Sequence, residues 1–180
     1  IRGDWQLLPF LGKRFKNEKG VLKNNPLNFY SRFKIAMNLL RSILPVSLYY
    51  LFVIGIILLR EDDFLWLFIV IATLLLTSGG KFAMRIVKTL CNFALLPHAA
   101  YYHMDAIVRA IYRTFCSRKN MLEWVVSSDA EKGATNTPGY YSRFMWKNYL
   151  SAATVSPFMF GIPCLLWLAG PLSVYFFSLK

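Results

Sequence analysis

The feature that most constrains this chain is the run Ser42–Leu59, SILPVSLYYLFVIGIILL, 18 residues without a charge between Arg41 and Arg60. A helix of about 17 to 25 apolar residues crosses a hydrocarbon core about 30 Å thick, so the run predicts a membrane crossing over 42–59. Pro45 would then fall in the first turn, where its missing N–H costs nothing. The acidic link Arg60-Glu61-Asp62-Asp63 leads into a second uncharged run, Phe64–Thr77, stopped by Ser78-Gly79-Gly80. Alone, so short a run also suits a buried core helix. Beside a full-length neighbour it predicts the second arm of a transmembrane helical hairpin, over 64–79.

A third stretch, Ser151–Leu179, is uncharged for 29 residues but carries Pro157, Pro163 and Gly170-Pro171. Gly-Pro reads as a turn, which predicts one crossing over 150–169 and the opening of another over 171–180. The expected fold class is therefore an all-α membrane protein: a transmembrane helical hairpin, amphipathic interfacial helices, then one or two further transmembrane helices. Composition agrees, because 56 % of residues are hydrophobic and only 17 % are charged, against about 25 % charged in soluble domains. With 15 Phe, 10 Tyr and 5 Trp the chain holds too much apolar mass to stay disordered. It starts at Ile1 without an initiator Met, so a piece of a longer protein is expected, and no signal-peptide pattern follows Ile1.

The 21 Lys and Arg face only 9 Asp and Glu, a net charge of +12, and they are gathered into blocks. Nine lie in segment 1–41 and ten in segment 81–149, leaving Arg60 alone in the hairpin link. The positive-inside rule places both basic segments in the cytoplasm and the acidic link outside. Charge beside apolar crossings is explained by topology, so nucleic acid is not an expected partner.

The basic segments carry helical periodicity. Met104, Ile107, Val108, Ile111 and Phe115 share one helical face while Asp105, Arg109 and Arg113 fall opposite. Lys81, Arg85, Lys88 and Asn92 form a stripe facing away from Phe82, Ile86, Leu90 and Phe93, and Phe29, Phe33, Met37 and Leu40 face away from Lys34, Asn38 and Arg41. Such helices lie along a bilayer with basic residues toward anionic headgroups, which makes Arg109, Arg113, Arg118 and Lys119 candidate membrane-interface residues. Ordinary packing against a soluble domain is the plainer alternative. Cys91, Cys116 and Cys164 read as free thiols. His98 and His103, five apart, lack the spacing of a helical metal site, and no GxSxG, HExxH or Gly-rich phosphate loop is present.

The opening IRGDWQLLP (Ile1–Pro9), Asn25-Pro26-Leu27 and SRFKIAMNLLRS (Ser31–Ser42) resemble the stretch after the glycosyltransferase domain of bacterial cyclic beta-1,2-glucan synthases. MDAIVRAIYRTF (Met104–Phe115), Ser117-Arg118-Lys119 and Leu122-Glu123-Trp124 are similar to the same family's cytoplasmic segment. The resemblance implies an inner-membrane, multi-pass enzyme that polymerises glucose from UDP-glucose into a cyclic beta-1,2-glucan, its transferase domain like that of cellulose synthases. It implies no cofactor in this segment, and a divalent metal, Mg or Mn, for a transferase domain upstream together with the catalytic aspartates. Expected partners are the lipid bilayer and, through those other domains, UDP-glucose and the growing glucan. Arg2, Trp5 and Gln6 would continue the helix that holds the acceptor sugar, Trp5 by stacking and Arg2 and Gln6 by donating hydrogen bonds. A belt residue at the membrane surface is the other reading of Trp5. A non-catalytic membrane anchor or assembly module remains the alternative function.

Overall fold

A computed structural model of the chain describes residues 1–16, 21–59, 63–117, 137–159 and 161–178. The described residues form eight α-helices and one small hairpin, so the fold is all-α apart from two three-residue strands. Two compact units divide the chain: Ile1–Val46 with Tyr102–Trp124, and Ser47–Tyr101 with Val125–Lys180.

The first unit begins with the short helix α1 (Arg2–Gln6), a 3-10 turn (Leu8–Leu11) and an antiparallel hairpin, β1 (Arg14–Lys16) with β2 (Leu22–Asn24), in which Phe15 lies opposite Lys23. Asn25 holds this start together: its side-chain amide donates to the carbonyls of Phe10 and Gly12, while its side-chain oxygen accepts from the Leu27 amide at 2.9 Å. Helix α2 (Phe29–Ile54) follows, capped by Asn28, whose side-chain oxygen accepts from the Ser31 amide at 2.9 Å. The core of the unit joins Trp5, Leu39, Ile107 and Ala110, with Ile1, Leu8, Leu11, Ile35, Ile43 and Ile111 packed around them. The buried face of α2 is thus Ile35, Leu39 and Ile43. The stripe Phe29, Phe33, Met37 and Leu40, expected to face the acyl boundary, is exposed and takes no part in this core.

The second unit takes the rest of α2, which passes into a π turn (Gly55–Leu59), then α3 (Asp63–Thr77), α4 (Phe82–Ala94) and the first residues of α5 (Leu96–Tyr112). Three further helices complete it: α6 (Pro138–Phe144), α7 (Trp146–Val155) and α8 (Ile162–Ser178). Phe52, Phe93 and Trp167 are fully buried and meet as one aromatic cluster, Phe52 edge-on to Trp167 at 5.5 Å and Phe93 stacked on it at 5.9 Å. At Gly55 any side chain would run into the Trp66 indole of α3, so the glycine lets the π turn and α3 approach closely.

Two sequence expectations about prolines are corrected. Helix α2 starts at Phe29 and not near Ser42, which puts Pro45 in its interior. Gly170-Pro171 is no turn but lies inside α8, and the crossing expected over 150–169 is divided, α7 ending at Val155 and α8 starting at Ile162. Gly161, at φ 143°, marks the break with a backbone that favours glycine. The interior Pro171 survives because its neighbours mend what it removes. Without an N–H it leaves the Trp167 carbonyl unpaired, and the Asn148 side-chain amide donates to that carbonyl at 3.3 Å. A Cβ on Gly170 would meet the Ala94 carbonyl and the same Asn148 amide at 2.6 Å, so only glycine fits.

Among the described residues one helix, Phe29–Leu58, is long and apolar enough to cross a membrane. Phe64–Thr77 of α3 and Ile162–Phe176 of α8 are apolar helices below that length.

Candidate functional site

In the first unit, α1 carries the three residues expected to face an acceptor sugar. Arg2 is exposed and Gln6 half-buried, four apart on one side of the helix. Trp5 points elsewhere: it is only 8 % exposed and packs with Leu39, Ile107 and Ala110. Its indole N–H donates to the Ser42 hydroxyl at 2.8 Å, and that hydroxyl donates to the Leu39 carbonyl at 2.7 Å. The ring is therefore engaged in holding α1 onto α2, and the free stacking face that the resemblance implied is not brought beside Arg2 and Gln6.

Ser42 is also where α5 attaches. The His103 Nδ1–H donates to the Ser42 carbonyl at 2.7 Å, which fixes the proton on Nδ1. That carbonyl is next to the Arg41 carbonyl, which the N–H missing from Pro45 leaves without its helical donor. One residue of α2 thus receives Trp5 through its side chain and His103 through its backbone. Sequence reasoning missed both Ser42 and His103 as joining residues; the signal available was a polar residue one turn before an interior proline.

Along α5 two members of the expected polar face, Asp105 and Arg109, pair with one another. Asp105 accepts from Arg109 Nε at 2.8 Å on the helix surface, and Ile107 opposite is buried. Val108, expected on the apolar face, is 55 % exposed, as is Phe115 in the π turn after α5. Arg113 is half-buried; Arg118 and Lys119 lie outside the described residues.

The second unit gathers polar groups at both ends of α4. At its start, Arg85 Nη2 donates to the Leu75 carbonyl at 2.8 Å and Lys88 Nζ donates to the Gly79 carbonyl at 3.0 Å. Arg85 thus sits on the last turn of α3, where unpaired carbonyls and the helix dipole concentrate negative charge, and Lys88 just beyond it. At the C-terminal end of α4, the Trp167 indole donates to the Phe93 carbonyl at 3.0 Å and Asn148 donates to the Ala94 carbonyl at 2.8 Å. Asn148 is fully buried and also accepts from the His98 amide at 3.0 Å, so one side chain ties α4, α5, α7 and α8. The His98 ring leans on Phe144 at 5.2 Å and its Nδ1 is buried with no hydrogen-bond partner among the described residues. Burial, and then the neighbouring Lys147 charge, hold its pKa below the ordinary imidazole value. Lys147 itself rests over the rings of Tyr101, at 4.2 Å, and Trp146, at 4.9 Å.

Among the described residues no three His, Cys, Asp or Glu side chains gather where a metal ion could be held. No protein-family model matches the chain. Over 98 % of its length it is 31 % identical to a segment of the cyclic beta-(1,2)-glucan synthase NdvB of Rhizobium meliloti (strain 1021). The chain spans about 7 % of that relative's length. The family resemblance carried by Ile1–Pro9, Ser31–Ser42 and Met104–Phe115 is thus met along nearly the whole chain, which is similar to one segment of a cyclic beta-(1,2)-glucan synthase.

Proposed function

We propose that this chain is the transmembrane and interfacial part of a processive glycosyltransferase that builds a cyclic beta-1,2-glucan from UDP-glucose at the bacterial inner membrane. The observation that carries the reading is the 31 % identity to the glucan synthase over 98 % of the chain. The long apolar helix Phe29–Leu58 supports the membrane part of it. In this reading α3 and the α7–α8 region complete a multi-pass bundle, and α1 extends the acceptor-holding surface with Arg2 and Gln6 as donors to sugar hydroxyls. Trp5 acts behind them as a positioning residue through Ser42. The divalent metal and the carboxylates that handle UDP belong to the transferase domain and not to this segment.

The test is UDP-glucose-dependent glucan formation by membranes holding the full-length protein. Arg2→Ala with Gln6→Ala should slow elongation while insertion is unchanged; a misplacement of about 1 Å in a reacting group can cost on the order of 100-fold in rate. The isolated 180 residues should transfer no glucose. If the full-length protein makes no glucan, or the double variant elongates normally, the chain is an anchor or assembly module instead.

A further inference from the structure

The apolar side of helix α4 is covered only toward its C-terminus. Thr89, Phe93 and Ala94 are buried inside the unit. Earlier along the same side Phe82, Ile86, Val87 and Leu90 are open, from 41 % exposed at Ile86 to 71 % at Phe82. A helix in water does not keep so broad an apolar surface uncovered without a partner. Across the helix from this face stand Lys81, Lys88 and Asn92. Among the described residues no carboxylate lies within ion-pair distance of Lys81, Arg85 or Lys88. Arg85 and Lys88 are met by backbone carbonyls at and just past the end of α3, whose run Phe64–Thr77 is uncharged. An open apolar face beside unneutralised lysines, starting where an apolar helix stops, is complementary to an acyl boundary under anionic headgroups. It matches no acidic protein groove equally well, because such a groove would not extend the apolar depth that α3 begins.

We propose that α4 lies flat in the headgroup layer of an anionic bilayer, with Phe82, Ile86, Val87 and Leu90 in the acyl boundary and Lys81 and Lys88 reaching lipid phosphates. Each basic residue near an anionic surface attracts it electrostatically, and the apolar face adds burial. The inference rests on the membrane placement proposed above and is independent of any glucose transfer. The end of α3 supplies the geometry: Arg85 and Lys88, bonded to carbonyls of Leu75 and Gly79, fix the start of α4 at the depth where the apolar run of α3 gives way to water.

The chain is reconstituted in nanodiscs of phosphatidylcholine alone or mixed equally with phosphatidylglycerol, and amide exchange of 82–94 is followed without any label. Exchange should be slower in the anionic discs, and Lys81→Gln with Lys88→Gln should remove that difference, a loss on the order of tenfold in protection. In a variant whose Cys91, Cys116 and Cys164 are replaced by Ala, single cysteines at 86, 90 and 92 then carry a fluorophore. Quenching by shallow nitroxide lipid at 86 and 90, with iodide reaching 92, supports the proposal. Equal exchange in both discs, or iodide reaching all three positions alike, overturns it. Protection of 86 and 90 from both quenchers also overturns it, since a protein surface, a second copy included, would then cover the face.

Discussion

His98 shows how one side chain can set the acid limit of a packed unit. Its ring is pressed against Phe144, its Nδ1 is buried and unpartnered among the described residues, and Lys147 lies near. Burial and then the Lys147 charge oppose protonation, so the folded pKa sits below the 6.5 of a free imidazole. Below pH 6.5 the unfolded chain therefore binds more protons than the folded one, and stability falls as pH drops until the folded pKa is passed. Above that window His98 is neutral in both states and contributes no slope. Melting temperatures of the detergent-solubilised chain across this range should decline on acidification. His98→Phe should flatten the decline, and Lys147→Met should shift it to lower stability loss by removing one of the two causes; an unchanged slope in His98→Phe would assign the acid sensitivity elsewhere. Trp5 teaches a related lesson about polar atoms in a core. Trp5→Phe should cost about 1 kcal/mol through the lost bond to Ser42, and Trp5→Ala about 3 to 5 kcal/mol by emptying the core, measured by denaturant unfolding of the solubilised chain. Nearly equal losses would mean that the ring is not packed as described.

At the scale of single helices, periodicity located the elements better than it located their buried sides. Helix α5 was legible from Met104 to Phe115 because Asp105 and Arg109 mark one face unambiguously. Its buried centre runs through Ala106, Ile107 and Ala110, rotated from the expected stripe, because alanines permit close approach that larger residues do not. Ile107→Asp should therefore destabilise the unit by at least about 3 kcal/mol, by placing an unpaired charge in the core. Val108→Asp, on the exposed side, should stay within about 0.5 kcal/mol of the parent. Equal losses in thermal unfolding would show that the faces are assigned wrongly. In α2 two apolar stripes compete, Phe29-Phe33-Met37-Leu40 and Ile35-Leu39-Ile43, and spacing alone cannot rank them. Only the partners Trp5 and Ile107, distant in sequence, select the second. The same holds for Gly170-Pro171: a local rule reads a turn, while Asn148, contributed by another helix, supplies the hydrogen bond that lets α8 continue. The hairpin β1–β2 has its local sequence signal in the alternation Arg14-Phe15-Lys16.

At the scale of the whole molecule the strongest legible quantity is the distribution of charge. Of 21 basic residues, all but Arg60 and Lys180 fall in segments 1–41 and 81–149, and the acidic link 60–63 separates two apolar runs. The cost of moving Lys and Arg across a bilayer biases such segments to the cytoplasmic side, whatever the detailed packing of each unit. For the proposed membrane placement the consequence is directional. A reporter fused after Arg60 should behave as external, and one fused after Lys119 as cytoplasmic. Because acidic residues weigh little in this rule, Glu61→Gln with Asp62→Gln should leave both results unchanged, whereas Glu61→Lys with Asp62→Lys should weaken the external signal at 60 by opposing the bias with two added positive charges. A cytoplasmic reporter at 60 in the unmodified chain would mean that Ser42–Leu59 does not cross. Its 18 uncharged residues would then belong to a helix held to its unit by Phe52 packed on Trp167, and both its exposed Tyr50, Leu51, Ile54 and Leu58 and the open side of α4 would need a different partner.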